Sequence, residues 1–529
     1  MIPNSLGLGR FVSTTSEPSR SVVSLPLIFA IGIYCLIISH ASAVLGDPDT
    51  FWHIAIGRWI IAHATVPDHG IFSATMANAP WIDQEWLAEI LMGWGYDHFG
   101  FAALTVGTAL CEAAAIAITL RVLLSILAPV HAMFATILTG ALWFPHIFAR
   151  PYVLTIPILV VWVAGLVRAR SDNRAPSPWF ALLIVLWANL HGSFMFGIGL
   201  AALFASEAVL LAPNWHGRVR AALDWGCFCA PAVGAALITP YGLHGLLFPF
   251  HMINMTALTY IAEWQGVNFS QISAMPFELW LLTILFASLS LGWRLPRTRI
   301  GILLILLAMT LKHARYMELL GVASSLLLAT SLKLPFEPQE AVTRGDRLMA
   351  ALARPADWRA IVIGAIVLVV STIALHGGDP QPGDATFPAA AVAEVQSQHL
   401  KGPVFNSYEF GGFLIFSGIE PFVDGRVELY GDAFMKGYID AVNVTNNVLM
   451  ELLDDYGIRW TIFTPTTPAA TLMDYLPGWQ RAYTGSAAVV HIRRPSNGVR
   501  NDTSFTDRAA SVVIPVYNEA GRLFISENP

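Results

Sequence analysis

Charge is what this chain has least of. Only 12% of its 529 residues are Asp, Glu, Lys or Arg, about half the share carried by a soluble domain. Against that, 55% are hydrophobic and the mean hydropathy is +0.58, which excludes an ordinary water-soluble globule. Cysteine is also scarce: Cys35, Cys111, Cys227 and Cys229 all fall inside apolar runs. They suggest neither a disulfide framework nor a zinc site. No excess of cations is present, and the net charge of −6 argues against a nucleic-acid partner. Internal repeats and low-complexity tracts are absent too.

What the chain does have is long hydrophobic runs. Residues 1–20 are polar, with Arg10 and Arg20 against one acid, and are expected to stay cytoplasmic. The run 21–45 is apolar and long enough to cross a core of about 30 Å. Ala41-Ser42-Ala43 imitates a signal-peptidase site, but the run exceeds a typical signal core, so retention is expected over cleavage. Further spans are expected at about 101–120, 130–148, 151–167, 178–190, 193–212, 222–240, 277–293, 299–311, 315–333 and 359–376. The pair from 178 to 212 is the least secure, because Asn189-Leu190-His191-Gly192 interrupts it and reads equally as a kink. Arg121, the group Arg168, Arg170 and Arg174, the pair Arg218 and Arg220, and the cluster Arg294, Arg297 and Arg299 fall in alternate loops, as do Lys333, Arg344, Arg347, Arg354 and Arg359. Positive loops face the cytoplasm. The expected fold is thus an α-helical polytopic membrane protein of about eleven spans over residues 21–376. Its N-terminus lies inside, and a smaller domain at 380–495 lies outside.

The first outer loop, 46–99, is unusually long and acidic, with Asp47, Asp49, Asp68, Asp83, Glu85, Glu89 and Asp97 against the single Arg58. Two amphipathic segments, 50–63 and 83–99, carry Trp52, Trp59, Trp81, Trp86 and Trp94. Tryptophan favours the bilayer interface, so both are expected to lie on the membrane. The loop opens with Gly46-Asp47-Pro48-Asp49-Thr50-Phe51-Trp52-His53, where a membrane helix surfaces into water. Pro48 disfavours helix at Asp47 and allows a new one to begin near Thr50. Asp49 and His53 then share one face. A carboxylate at the edge of hydrocarbon is a functional candidate. Asp49 is equally a good N-cap, and Asp47-Pro48 is ordinary turn chemistry. If Asp49 caps, Asp47 is the freer acid; the alignment with His53 favours Asp49.

Four other stretches open on the same side. They are His146, Arg150 and Tyr152; Asn189-Leu190-His191-Gly192; 240–276 with Tyr241, His244, His251, Glu263, Trp264 and Gln265; and Lys312-His313-Ala314-Arg315. Each histidine alone is more often a packing residue than a catalyst, and only convergence raises its standing. Arg150 and Arg315 can hold a phosphate through forked hydrogen bonds, or can be helix-end residues snorkelling to water. Lys312 and His313 beside Arg315 favour the phosphate. His53, His191 and Glu263 complete the candidates.

Residues 380–495 change composition and read as a small α/β domain. Its expected strands are 404–406, 412–416, 422–423, 460–463 and 488–492, and its helices 389–400 and 433–456. Asp424-Gly425-Arg426 and Asn406-Ser407-Tyr408-Glu409 are polar points in it, either part of an acceptor surface or, as favoured, turn and strand-edge residues. In the tail 496–529, Ser511-Val512-Val513-Ile514-Pro515-Val516-Tyr517-Asn518-Glu519 looks like the opening strand of soluble GT-A nucleotide-sugar transferases. Too little follows it to form a nucleotide-binding domain, so a truncation or fusion remnant, dispensable for activity, is expected.

The membrane portion resembles the GT-C superfamily of polyprenyl-phosphate-sugar-dependent glycosyltransferases, nearest the bacterial relatives of protein mannosyltransferases. The resemblance covers roughly residues 20–335. It rests on Asp47-Pro48-Asp49 directly after the first span, the long outer loop, Trp52-His53-Ile54-Ala55-Ile56-Gly57-Arg58, Glu85-Trp86-Leu87-Ala88-Glu89, and Pro67-Asp68 with Phe72-Ser73. It implies a bacterial inner-membrane enzyme that moves a sugar from a polyprenyl phosphate to a glycan, lipid or protein acceptor outside the cytoplasm. The outer-loop Asp would be the general base or position the acceptor, and basic residues would hold the phosphate. No clear second acidic motif follows in the next outer loop, which leaves dependence on a divalent metal open. A transporter or flippase would place ionisable groups at mid-membrane and break helices in pairs. Here the spans carry few acids, chiefly Glu112, Glu207 and Glu318. A non-catalytic scaffold of envelope assembly would make the acids dispensable.

Overall fold

The computed structural model describes residues 23–290, 295–329, 343–376, 378–383 and 387–494, and two short strands beyond them, Val516–Tyr517 and Leu523–Phe524. The segment 1–20 and most of the expected tail motif lie outside the described residues.

The N-terminal helix α1 (Leu25–Ser39) is followed by a single turn, α2 (Ala41–Val44). Two helices of the first outer loop come next, α3 (Asp49–His63) and α4 (Trp86–Phe99). The bundle continues with α5 (Phe101–Leu123), α6 (Pro129–Trp143), α7 (Ile156–Ser171), α8 (Leu182–Leu190), α9 (Phe194–Leu210) and α10 (Trp215–Ala235). After α11 (Gly242–Ile253) come α12 (Met275–Ser290), α13 (Arg297–Lys312), α14 (Met317–Ala329), the amphipathic α15 (Arg344–Leu352) and α16 (Trp358–His376). Each expected span contains a helix. By length and apolar composition, four stretches among the described residues suffice to cross a bilayer: Phe101–Leu123, Pro151–Ser171, Ile272–Ser290 and Trp358–Leu375. The others are shorter or less apolar, so helix length does not establish the count of eleven. The chain is a multi-pass membrane protein on these helices.

A core of aromatic and aliphatic side chains, including Trp143, Trp162, Trp187 and Phe204, joins α5 through α14. Helix α1 packs between α5 and α16, and the hydroxyls of Tyr34 and Thr372 meet at 2.5 Å. Glu207 is not an isolated charge: Arg299 lies 3.5 Å and Arg170 3.9 Å from it.

The C-terminal domain is a four-stranded sheet flanked by helices. Strands β1 (Val404–Asn406), β2 (Trp460–Phe463), β3 (Trp479–Thr484) and β4 (Val489–Arg493) lie in the order β1-β2-β4-β3. The β1–β2 pair is parallel and the rest antiparallel. All four residues of β2 are buried, as suits a strand covered on both faces. Helices α17 (Ala389–Ser397), α18 (Gly411–Phe416), α19 (Val427–Val442), α20 (Val448–Asp455) and α21 (Pro468–Met473) pack around it. Several expectations fail here. The run 412–416 lies within helix α18, 422–423 has no strand, and 433–456 is two helices, with a kink at Gly431 (φ +73°) inside the first. Strand β3 was not expected. Short apolar runs are ambiguous between strand and helix, and here tertiary packing decides.

The two parts are not loosely tethered. Trp52, Ile56, Ile60 and Trp81 of the outer loop share one buried cluster with Phe405, Phe422, Val427 and Tyr430 of the C-terminal domain.

Candidate active site

The site begins where α3 begins. Pro48 is its N-cap residue and offers no side-chain cap. The capping bond comes from Asp47, whose Oδ1 accepts from the Asp49 backbone N–H at 2.8 Å. Of the two arrangements the sequence left open, this is the one in which Asp47 holds the turn and Asp49 faces the cavity. Backbone bonds then bring in Arg150. Thr50 Oγ1 donates to the Ala149 carbonyl at 3.1 Å, and the Ala149 N–H donates to Val44 at 2.9 Å.

Arg150 gathers three carboxylates. Its Nε lies 2.7 Å from Asp47 Oδ2, its Nη2 2.6 Å from Asp49 Oδ2 and its Nη1 3.1 Å from Glu263 Oε2. Glu263 continues to Arg315, whose Nη1 is 3.4 Å from Oε1 and whose guanidinium stacks on Trp264 at 4.2 Å. Burial pushes the Asp49 carboxyl up and Arg150 pulls it back, with Asp47 adding repulsion; it settles at about 6. Burial would raise Glu263 as well, but Arg150 and Arg315 together hold it at about 2.

A second layer lies behind Asp49. Helices α3 and α4 cross closely: a side chain at Gly57 would collide with the Glu89 backbone, and one at Gly93 with Gly57 and Arg58. Only glycine permits that approach. The crossing sets His53 Nδ1 2.9 Å from Glu89 Oε1 and His53 Nε2 3.5 Å from Glu85 Oε2. Glu85 Oε1 is 3.1 Å from His191 Nε2. The His53–Glu89 contact is a hydrogen bond and the two to Glu85 are close approaches, and burial favours the neutral form of each group. Burial, then Asp83 and Glu428, raise Glu85 to about 8. Burial, then Arg315, lowers His191 to about 3, and His53 falls well below its ordinary value for the same first reason.

A cavity of about 340 Å³ opens onto this network. Asp49, His53, Glu85, Arg150, His191, Glu263 and Arg315 all line it, so residues from five outer loops meet in one place. Three expected members do not, Asp47 among them because it holds the turn behind Asp49. Lys312 is exposed and absent from the wall, and His313 is turned away, its Nδ1 2.5 Å from the Trp264 carbonyl. Arg150 has each guanidinium nitrogen against a carboxylate, so Arg315 is the guanidinium in the wall with bonding capacity to spare.

The far wall comes from the C-terminal domain: Tyr408, Glu409, Gly425, Val427 and Glu428. Asp424 and Arg426 on either side of Gly425 are structural, a buried pair at 2.7 Å with Arg426 over the Trp81 ring at 5.0 Å and Tyr430 donating to Asp424 at 2.7 Å. Gly425 itself abuts Asp49, and a side chain there would collide with Asp49 Oδ1. Sequence reasoning offered Tyr408 and Gly425 only in the less favoured reading of their stretches, as an acceptor surface, and did not single out Glu85 or Glu428 for the site. The one available signal was Glu85 and Glu89, an acidic pair one turn apart ahead of an apolar helix. Among the described residues no three His, Cys, Asp or Glu side chains are grouped to hold a metal ion.

No family model matches the chain, and no curated protein matches it. Among solved structures it is similar to ArnT from Cupriavidus metallidurans bound to undecaprenyl phosphate, at 12% identity and TM-score 0.48 over 88% of this chain and 97% of that one. The same protein in the apo state gives 12% and 0.47 over the same shares. The Archaeoglobus fulgidus oligosaccharyltransferase in its apo form gives 10% and 0.45 over 82% of this chain and 69% of that one.

Proposed function

We propose that the chain is an integral-membrane glycosyltransferase that moves a sugar from a polyprenyl-phosphate donor to an acceptor hydroxyl on the extracytoplasmic face, with Asp49 as general base. One observation carries the reading. Asp49 stands in the wall of a cavity whose other lining combines a cation, Arg315, with apolar side chains such as Phe248, Met252 and Leu319. That is the environment a lipid phosphate needs, and the carboxylate beside it can take a proton.

In the step proposed, Asp49 removes the proton as the acceptor oxygen bonds to the anomeric carbon. The bond from that carbon to the phosphate oxygen breaks, and polyprenyl phosphate leaves with the electron pair. Arg315 balances the leaving charge. Arg150 keeps Asp49 ionised and aimed instead of binding phosphate itself. No part of this step is assigned to a metal. The bond from Asp47 to the Asp49 N–H supports Asp49 over Asp47 as the base.

The test uses membranes containing the full chain and a panel of polyprenyl-phosphate sugars labelled in the sugar. Label should move to material other than donor, and Asp49→Asn should abolish the transfer while yield stays unchanged. Equal transfer by Asp49→Asn would overturn the assignment.

A further inference from the structure

The cavity has two chemically distinct walls. The membrane side carries Arg150 and Arg315 with the apolar side chains named above. The opposite side carries aromatic rings and carboxyls: Trp52, Trp81, Tyr408, Glu409 and Glu428. Asp49 sits between them, bonded to Arg150 in one direction and abutting Gly425 in the other.

One donor on the second wall is only poorly engaged. Trp52 is 7% exposed, and its indole Nε1 is buried with no hydrogen-bond partner of good geometry. It lies next to the Asp49 carboxylate, since a methyl group built at Gly425 would be 2.8 Å from Nε1 and would press on Asp49 Oδ1 as well. The Asp49 carboxylate is the acceptor at hand, and Trp52 helps hold that carboxyl down, but the geometry is poor and leaves the donor free to turn to a second oxygen. The carboxylate beside it would take a proton, so the group that answers both is a hydroxyl: its oxygen accepts from Trp52 while its hydrogen goes to Asp49. Glu409 is exposed and makes no bond that would occupy it, and Glu428 accepts from Trp81 Nε1 at 2.9 Å through one oxygen only.

We propose that this wall, half of it supplied by the C-terminal domain, is the acceptor subsite and that the acceptor is a neutral carbohydrate. Ring faces suit the C–H face of a pyranose, and carboxyls accept from its neighbouring hydroxyls. The wall offers no guanidinium or ammonium group to the cavity, which disfavours an anionic acceptor. The inference rests on the glycosyltransferase reading and names the second substrate of the same site.

Saturation-transfer NMR on the full chain in detergent tests it with three probes: neutral methyl hexosides, a hexuronate and a serine-containing tripeptide. At least one neutral hexoside should receive saturation, and the hexuronate and tripeptide should not. Glu409→Ala, a change at an exposed position, should weaken hexoside binding at least tenfold, and Trp52→Phe should do the same. In Glu409→Ala, undecaprenyl phosphate should bind as in the wild type. Binding of the tripeptide in place of the hexosides would make the acceptor a protein and overturn the proposal. So would silence from every hexoside, or hexoside binding that survives both substitutions. If undecaprenyl phosphate still binds and transfer still needs Asp49 in those cases, only the acceptor assignment falls. If both of those are lost as well, the glycosyltransferase reading falls with it.

Discussion

Asp47 accepts a hydrogen bond from the backbone of Asp49, two residues on, and so takes the structural duty that the sequence offered to its neighbour. The division of labour predicts opposite outcomes for one substitution at two positions. Asp49→Asn should lower transfer about 10²–10⁴-fold, the usual worth of a general base. Asp47→Asn keeps a capping side chain and weakens only the pair with Arg150, so a loss of about tenfold or less is expected. Initial rates on the two purified variants decide. Should Asp47→Asn be the dead one, the roles are reversed.

The pH dependence follows from the same residue. Asp49 must be ionised to accept a proton, and its pKa is raised to about 6. The rate should therefore climb as pH rises through 6 and level off above it. In Arg150→Met the cation that holds the carboxyl down is gone, so the acid limb should move to higher pH. A limb near the ordinary carboxylate range, unmoved by that change, would remove Asp49 from the mechanism.

Gly425 offers a test of how closely the C-terminal domain is fitted. Gly425→Ala places a methyl group against Asp49 Oδ1 and Trp52 Nε1. Transfer should fall at least tenfold, while gel filtration and thermal unfolding report an intact chain. Wild-type rates would show that the domain stands further from the base in solution.

The basic candidates separate in a binding measurement. Arg315→Ala should weaken undecaprenyl phosphate tenfold or more, because a charge-assisted bond to phosphate contributes about 1.5–3 kcal/mol. Lys312→Ala should leave binding unchanged. Equal loss from both would return Lys312 to the site.

The expected sidedness is open to impermeant thiol reagents in a variant lacking the native cysteines. A cysteine at Ser417 should be labelled on intact cells and one at Ser171 should not. The reverse pattern would put the cavity on the cytoplasmic face.

Much of the bundle was legible because charge-free runs leave few choices for a membrane chain. The ends of α5, α9 and α13 fall within a few residues of the expected limits. Helix α11 was missed, since it is only 12 residues long, carries Pro249 and lies in a loop read as irregular. In the site, Asp49, Arg150, His191 and Glu263 were visible because an ionisable group beside hydrocarbon is conspicuous wherever it falls. Lys312 and His313 were singled out by their proximity to Arg315 and do not line the cavity: one residue's rotation along the chain separates a side chain in the wall from one outside it. Glu85 and Glu428 were hidden for the opposite reason. Both look like ordinary surface acids in sequence, and only packing against residues distant in the chain half-buries them.

The fit of Gly425 against Asp49 also orders events in time. Asp49 precedes Gly425 by most of the bundle and so leaves the ribosome well before it. A half-made chain already in the bilayer would hold its carboxylate without the wall behind it. Lipid-linked sugar reaching it then would find no place for a partner. Competence would come only after the C-terminal domain has docked, so the chain's own assembly acts as a delay on its chemistry.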